Sequence, residues 1–190
     1  MIELTDPHHV TAGWDGEPGA RTFYVQAADE HQQVTVVLEK GQVQGIAELL
    51  TQLLARVDDL PATDWDRDAM ALREPLEPLW RVGGLSVGLD PERGRFVIEL
   101  EELVLEDPII EEVVGEEGAG EMLGGDDADD AGEPGELRIW ADQDQARRLA
   151  AHAAEQVGQG RPTCQLCGRP TDPDGDHVCP STNGHGRLSR

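Results

Sequence analysis

The chain has 190 residues, 15 Lys and Arg against 39 Asp and Glu, a formal charge of −24, and only 4 % aromatic residues within a hydrophobic content of 38 %. That length holds one ordinary domain plus a small appendage, and the low apolar content predicts a modest core of Val, Leu, Ile and Ala with much irregular chain. The charge excludes a nucleic-acid or anionic-membrane surface, since both require Lys and Arg to neutralise phosphate; it favours a basic or neutral protein partner.

Residues 5–20 are rich in Pro, Gly and Asp and read as irregular. His8-His9 lies in this stretch and reads as an exposed pair. Residues 21–28 (Arg-Thr-Phe-Tyr-Val-Gln-Ala-Ala) and 33–39 (Gln-Val-Thr-Val-Val-Leu-Glu) carry the β-branched and aromatic content of strands. The polar link between them predicts an antiparallel hairpin. From 40 to 57 the apolar residues are Val43, Ile46, Ala47, Leu49, Leu50, Leu53, Leu54 and Val57, with steps of three and four dominating, the signature of an amphipathic helix. Pro61, Pro75 and Pro78 mark a linker over 58–78. Asp64-Trp65-Asp66 within it could hold magnesium, but reads more simply as a solvated turn.

Residues 79–89 read as a strand kinked at Gly83-Gly84, Asp90-Pro91-Glu92-Arg93-Gly94 as a turn, and 95–105 as the return strand. Trp80, and Trp140 further on, read as core residues on strands. From Glu99 to Glu136 the chain has no Lys or Arg. Its centre, about 115–135, is almost entirely Gly, Ala, Asp and Glu, and reads as a disordered acidic loop. Asp126-Asp127-Ala128-Asp129-Asp130 lacks the alternation of a calcium loop. Strand character returns at 136–141, and Asp142 is placed to cap a helix over 143–157. His152 falls at the edge of that helix's apolar face.

Two stretches echo each other at an offset of 103 residues. Val34-Thr-Val-Val-Leu-Glu39, then Gln42 and Ala47, aligns with Leu137-Arg-Ile-Trp-Ala-Asp142, then Gln145 and Ala150. The reading is α+β: one antiparallel sheet built from two β-hairpin-plus-helix units (21–28, 33–39 and 40–57; then 79–105, 136–141 and 143–157), with both helices on one face. Residues 1–157 form this body and 158–190 a separate zinc-knuckle tail.

All three cysteines lie in the tail, as Cys164-Gln165-Leu166-Cys167-Gly168 and His177-Val178-Cys179. Two thiolates at C-x2-C, a turn-forming loop, then His and Cys two apart supply four ligands for one tetrahedral Zn2+. Leu166 is placed to pack beneath the ion. A set closed by Cys164, Cys167, His177 and Cys179 leaves no open coordination position and is structural. His185 is an alternative to His177, and a redox pair at Cys164 and Cys167 a competing use of the same thiols. No segment reaches the ~20 apolar residues of a membrane span, and the start, Met1-Ile2-Glu3-Leu4, has no signal-peptide pattern; the expectation is a cytoplasmic protein.

Walker, G-x-G-x-x-G and H-E-x-x-H patterns are all missing. The expected function is therefore a non-enzymatic adaptor docking another protein, with oligomeric state open. The alternative is a small-molecule or phosphate-ligand-binding protein or an enzyme, with Arg21 and the Gly-rich approach at 16–21 as the anion contact.

Gly16-Glu17-Pro18-Gly19-Ala20-Arg21-Thr22-Phe23-Tyr24-Val25, Leu38-Glu39-Lys40-Gly41, Trp80-Arg81-Val82-Gly83 and Cys164-Gln165-Leu166-Cys167-Gly168-Arg169-Pro170 together resemble an actinobacterial family of unknown function (domain of unknown function 3090), often labelled "repeat protein". Gly175-Asp176-His177 departs from the family's Gly-His by one inserted residue. The resemblance implies no activity. It implies genes that travel with those of a kinase-like and a histidine-phosphatase-like protein, and so a role beside phosphorylation or thiol metabolism.

Overall fold

The structure, a computed structural model, describes residues 1–17, 19–57, 66–104, 133–159, 164–169, 171 and 179–182. The expected acidic loop lies outside these residues over 115–132.

The fold is α+β. Strands β1 (Ile2–Leu4), β2 (His9–Asp15), β3 (Thr22–Ala28) and β4 (Gln33–Leu38) lead into helix α1 (Lys40–Val57). Strands β5 (Val82–Asp90), β6 (Arg95–Glu102) and β7 (Glu136–Ala141) lead into helix α2 (Gln143–Gly158). The strands form two sheets where one antiparallel sheet was expected. One is an antiparallel meander ordered β2-β3-β4; the other, ordered β1-β7-β6-β5, is mixed because β1 runs parallel to β7. The unit ahead of each helix is thus three strands, and the hairpin is only part of it. The sheets meet at a single parallel bridge, Val37 with Arg81.

The stretch 5–20, read as irregular, contains β2, whose residues 9–13 are fully buried. His, Gly, Ala and Thr give β2 little aliphatic signal. Its burial comes from distant chain: α2 packs on it, and Leu72 lies so close to Gly13 that a Cβ there would sit 2.8 Å from Leu72 Cγ. His9 is consequently buried, correcting its reading as exposed, while His8 is exposed as expected. His152 is buried too, three residues past Leu149 on the inner stripe of α2, and not at its edge.

Gly83 is a bulge, with the β5–β6 register slipping between Val82 and Gly84. Asp90 Oδ1 accepts the Glu92 and Arg93 amides and Gly94 sits at φ +62°, which closes the β5–β6 turn.

The two helix entries share two bonds. β4 and α1 begin at residues 33 and 40, β7 and α2 at 136 and 143. Gln42 Oε1 accepts the Glu39 amide at 2.8 Å, and Gln145 Oε1 accepts the Asp142 amide at 2.9 Å. Asp142 also accepts the Gln145 amide, completing a capping box. Each glutamine then crosses to the other half: Gln42 Nε2 donates to the Val82 carbonyl at the start of β5, and Gln145 Nε2 to the Pro7 carbonyl before β2. α1 and α2 pack on each other, and α1 also packs on β5. One core joins Val36, Ile46 and Leu50 to Ile98, Ile139 and Leu149.

The outer face of β2-β3-β4 is covered by residues 68–76. Register places Thr11, Gln26 and Thr35 side by side on that face. Gln26 is fully buried and clamps the covering strap, donating to the Arg73 carbonyl (2.9 Å) and Thr35 Oγ1 (3.0 Å) and accepting the Arg73 amide (2.8 Å). Thr11 Oγ1 donates to the Met70 carbonyl. Buried polar side chains need such partners. The linker is thus a fitted cover over its described part.

Candidate metal centre

Cys164 opens a tight turn. Its amide donates to the Arg169 carbonyl and its carbonyl accepts the Gly168 amide, both at 2.8 Å. Gly168 at φ +69° permits the reversal, which L side chains rarely adopt. The Leu166 amide points at Cys164 Sγ from 3.4 Å, and the turn at Pro180–Thr182 brings Cys179 in beside it. Ser181 Oγ donates to the Leu166 carbonyl at 3.4 Å, tying the two pieces together. The Leu166 side chain is 61 % exposed, so it does not pack beneath the cluster as its sequence position implied.

The three sulfurs lie within 4.8 Å of one another, with Cys164 and Cys179 buried and Cys167 half-buried. Cys164 Sγ and Cys179 Sγ are 3.8 Å apart, far beyond the ~2.05 Å of a disulfide. Two sulfurs on one tetrahedral zinc, each at ~2.3 Å, would stand about 3.8 Å apart. The donor set therefore fits a thiolate metal. Amides pointing at Cys164, that of Cys167 foremost, hold its thiol below the ordinary range. The Arg169 amide lowers Cys167 too, but burial and the neighbouring sulfurs carry it upward. One thiolate forms first and opposes the next, the electrostatics a cation would relieve. His177 and His185, the candidate fourth ligands, lie outside the described residues.

Arg21 is placed elsewhere. Its guanidinium stacks 3.6 Å over Trp14 and donates through Nη1 to the Gln159 carbonyl at 2.6 Å. It thereby meets the negative end of α2, a favourable place for a cation. Of Asp64-Trp65-Asp66 only Asp66 is described, and its carboxylate caps the turn at Asp68. Trp80 is half-buried, its indole lying over Gly135. Trp140, expected in the core, is half-buried on the outer face, where its Nε1 donates to Glu3 at 2.7 Å beneath the Arg93 guanidinium.

Two imidazoles that the sequence placed outside the core are buried. Burial foremost, with Arg73 and His8 beside it, pushes His9 down to about 4; burial likewise lowers His152, whose ring bonds to the Ala12 backbone. The only sequence signal was the position of His152 three residues after Leu149.

An α+β body with a cysteine cluster capable of holding a metal is the class these observations define. Residues 2–179 match the family described as "Protein of unknown function (DUF3090)", and the chain belongs to that family. No curated protein and no solved structure matches it. No helix among the described residues is long and apolar enough to cross a membrane.

Proposed function

We propose that the chain is a cytoplasmic adaptor whose tail is folded by one structural Zn2+ held by Cys164, Cys167, Cys179 and His177, and that this tip docks another protein. The observation that carries the metal is the sulfur spacing of 3.8 Å between Cys164 and Cys179. A tail of few apolar groups gains most of its folding energy from such an ion. Three soft sulfurs with one imidazole favour zinc over hard cations. The near-neutral tail beside a strongly acidic body gives a partner a surface it can approach without charge opposition.

Elemental analysis of untagged protein should find one zinc per chain, falling to near zero in Cys164→Ser/Cys167→Ser and much reduced in His177→Ala. Wild-type zinc far below one equivalent sinks the site. Loss in His185→Ala but not in His177→Ala moves the fourth ligand. A partner recovered equally by wild-type and by the double serine variant removes the tip as the dock.

A second reading, a small-ligand binder, has one observation in its favour: an open cleft of about 500 Å³ lined in part by Asp6, His8, Asp29, His31, Asp142 and Gln145. Its carboxylates oppose a phosphate and favour a cationic ligand. A thermal-shift screen of polyamines and phosphorylated metabolites tests it; unmoved melting curves remove it.

A further inference from the structure

β5 is the edge strand of its sheet. β5 pairs with β6 on one side. On the other, chain just ahead of it (79–81) meets β4, where the Leu79 amide donates to the Thr35 carbonyl and the Val37 amide to the Trp80 carbonyl, both at 2.9 Å. Beyond Arg81 the two strands part, and residues 84–90 have no partner on that edge among the described residues. Such a row of backbone donors and acceptors is a template for an added strand. β2, the first strand of the other half, is an edge too, but it is sealed by α2 and by Leu72. α1 packs on β5 as well, yet every residue from 83 to 90 remains at least partly exposed, whereas residues 9–13 of β2 are buried.

The two faces beside this edge define what fits. On the inner side Leu85, Val87 and Leu89 stand opposite Leu100, Ile98 and Phe96. The β6 residues are fully buried, whereas the β5 residues are partly open, so the core runs out to the edge unfinished. On the outer side β5 presents Gly84, Ser86 and Gly88, and at its end Asp90. The Glu101 carboxylate reaches across the gap this leaves: a Cβ on Gly84 would sit 2.7 Å from Glu101 Oε2. Glu101 has no ion pair among the described residues, unlike Glu99, which Arg138 neutralises at 2.8 Å.

We propose that β5 accepts an extended segment of another protein, with apolar side chains alternating with basic ones. The apolar set would complete the row at Leu85, Val87 and Leu89. The basic set would meet Glu101, in a chain whose overall charge favours a cationic partner. A second copy is the poorer occupant, because its strand would bring another −24 and no basic side chain of its own at that edge. This surface is separate from the cysteine cluster and does not depend on its metal.

The test uses the full chain and an eight-residue peptide of alternating lysine and valine, blocked at both ends. Binding should slow amide exchange within residues 84–90. An isomer with its four lysines and four valines in two blocks should bind at least tenfold more weakly. Glu101→Gln should weaken the alternating peptide several-fold, and Val87→Lys, a charge turned inward at the edge, should abolish binding. If Val87→Lys does not fold, the exchange pattern of the wild-type chain with Glu101→Gln decides. Four outcomes overturn the proposal: equal binding of the block isomer, protection elsewhere in the molecule, amides of 84–90 already protected in the free monomer by its own residues 105–132, or protection rising with protein concentration as in a dimer.

Discussion

Two cross-strand rows at corresponding places in the two halves have opposite fates. In the first half Thr11, Gln26 and Thr35 lie side by side; in the second, Ser86, Glu99 and Arg138 do. Thr35 and Arg138 hold the same position ahead of their helices. The first row is uncharged and buried beneath residues 68–76. The second is charged, partly open to water, and ends at Glu3 on β1. The connections after the helices account for the difference: chain following α1 folds back over its sheet, whereas chain following α2 leads to the cysteines. A covered row has to be neutral and fully bonded, because a buried unpaired charge costs far more than a buried amide with partners. An uncovered row can carry carboxylates and contributes little.

The severest test of the two halves as one body is core truncation. Ile46→Ala in α1 and Leu149→Ala in α2, both fully buried, should each cost about 2–5 kcal/mol. Each should lower one shared unfolding transition measured in urea; two separate transitions would break the comparison into independent domains.

Acid should act chiefly at β2. His9, on that strand, is held neutral with its value near 4 against an ordinary 6.5. A base whose folded value is depressed leaves the fold most stable above 6.5. Stability then falls as pH drops from 6.5 towards 4, because only the unfolded chain takes up the proton. His152, lowered in the same direction and bonded to β2, adds to the loss. About 3 kcal/mol is the most that His9 can contribute. Urea titrations at pH 7 and pH 5 should show the decline, and His9→Gln should flatten it.

The rows themselves should differ. Gln26→Leu strands the Arg73 amide, while Gln33 still donates to the Arg73 carbonyl, and should cost about 1–3 kcal/mol, whereas Glu99→Gln on the open row should cost under about 1 kcal/mol. Equal losses would show that the cover over the first row does not matter. Smallest and most alike should be the helix entries: Gln42→Ala and Gln145→Ala each at about 1 kcal/mol, with Gln145 the larger because its capping box is complete.

Much of this was legible in the sequence. Both helices could be read from steps of three and four, since burying one stripe of a helix is a local pattern. The turn at Asp90 to Gly94 announced itself by Asp, Pro and Gly in order. The offset of 103 was visible because the strand, acidic entry, glutamine and alanine recur together. β2 was not legible, since what buries its His9, Thr11 and Gly13 lies some sixty residues or more away in the chain. Two sheets could not be told from one, because strand pairing depends on register between segments far apart. Cys164, Cys167 and Cys179 were legible as a set since thiols are scarce and their spacing is local. The buried Thr11-Gln26-Thr35 row was invisible, as nothing in a polar side chain says what will cover it.

The exchanged glutamines make each half the closing piece of the other. The Val82 carbonyl accepts the side-chain amide of Gln42 in the first turn of α1, and the Pro7 carbonyl that of Gln145 in the first turn of α2. A chain severed between α1 and β5 would leave two fragments, each missing a bond at the very point where its helix nucleates. Rejoining the fragments would have to restore both bonds, so each half carries part of the other's helix entry.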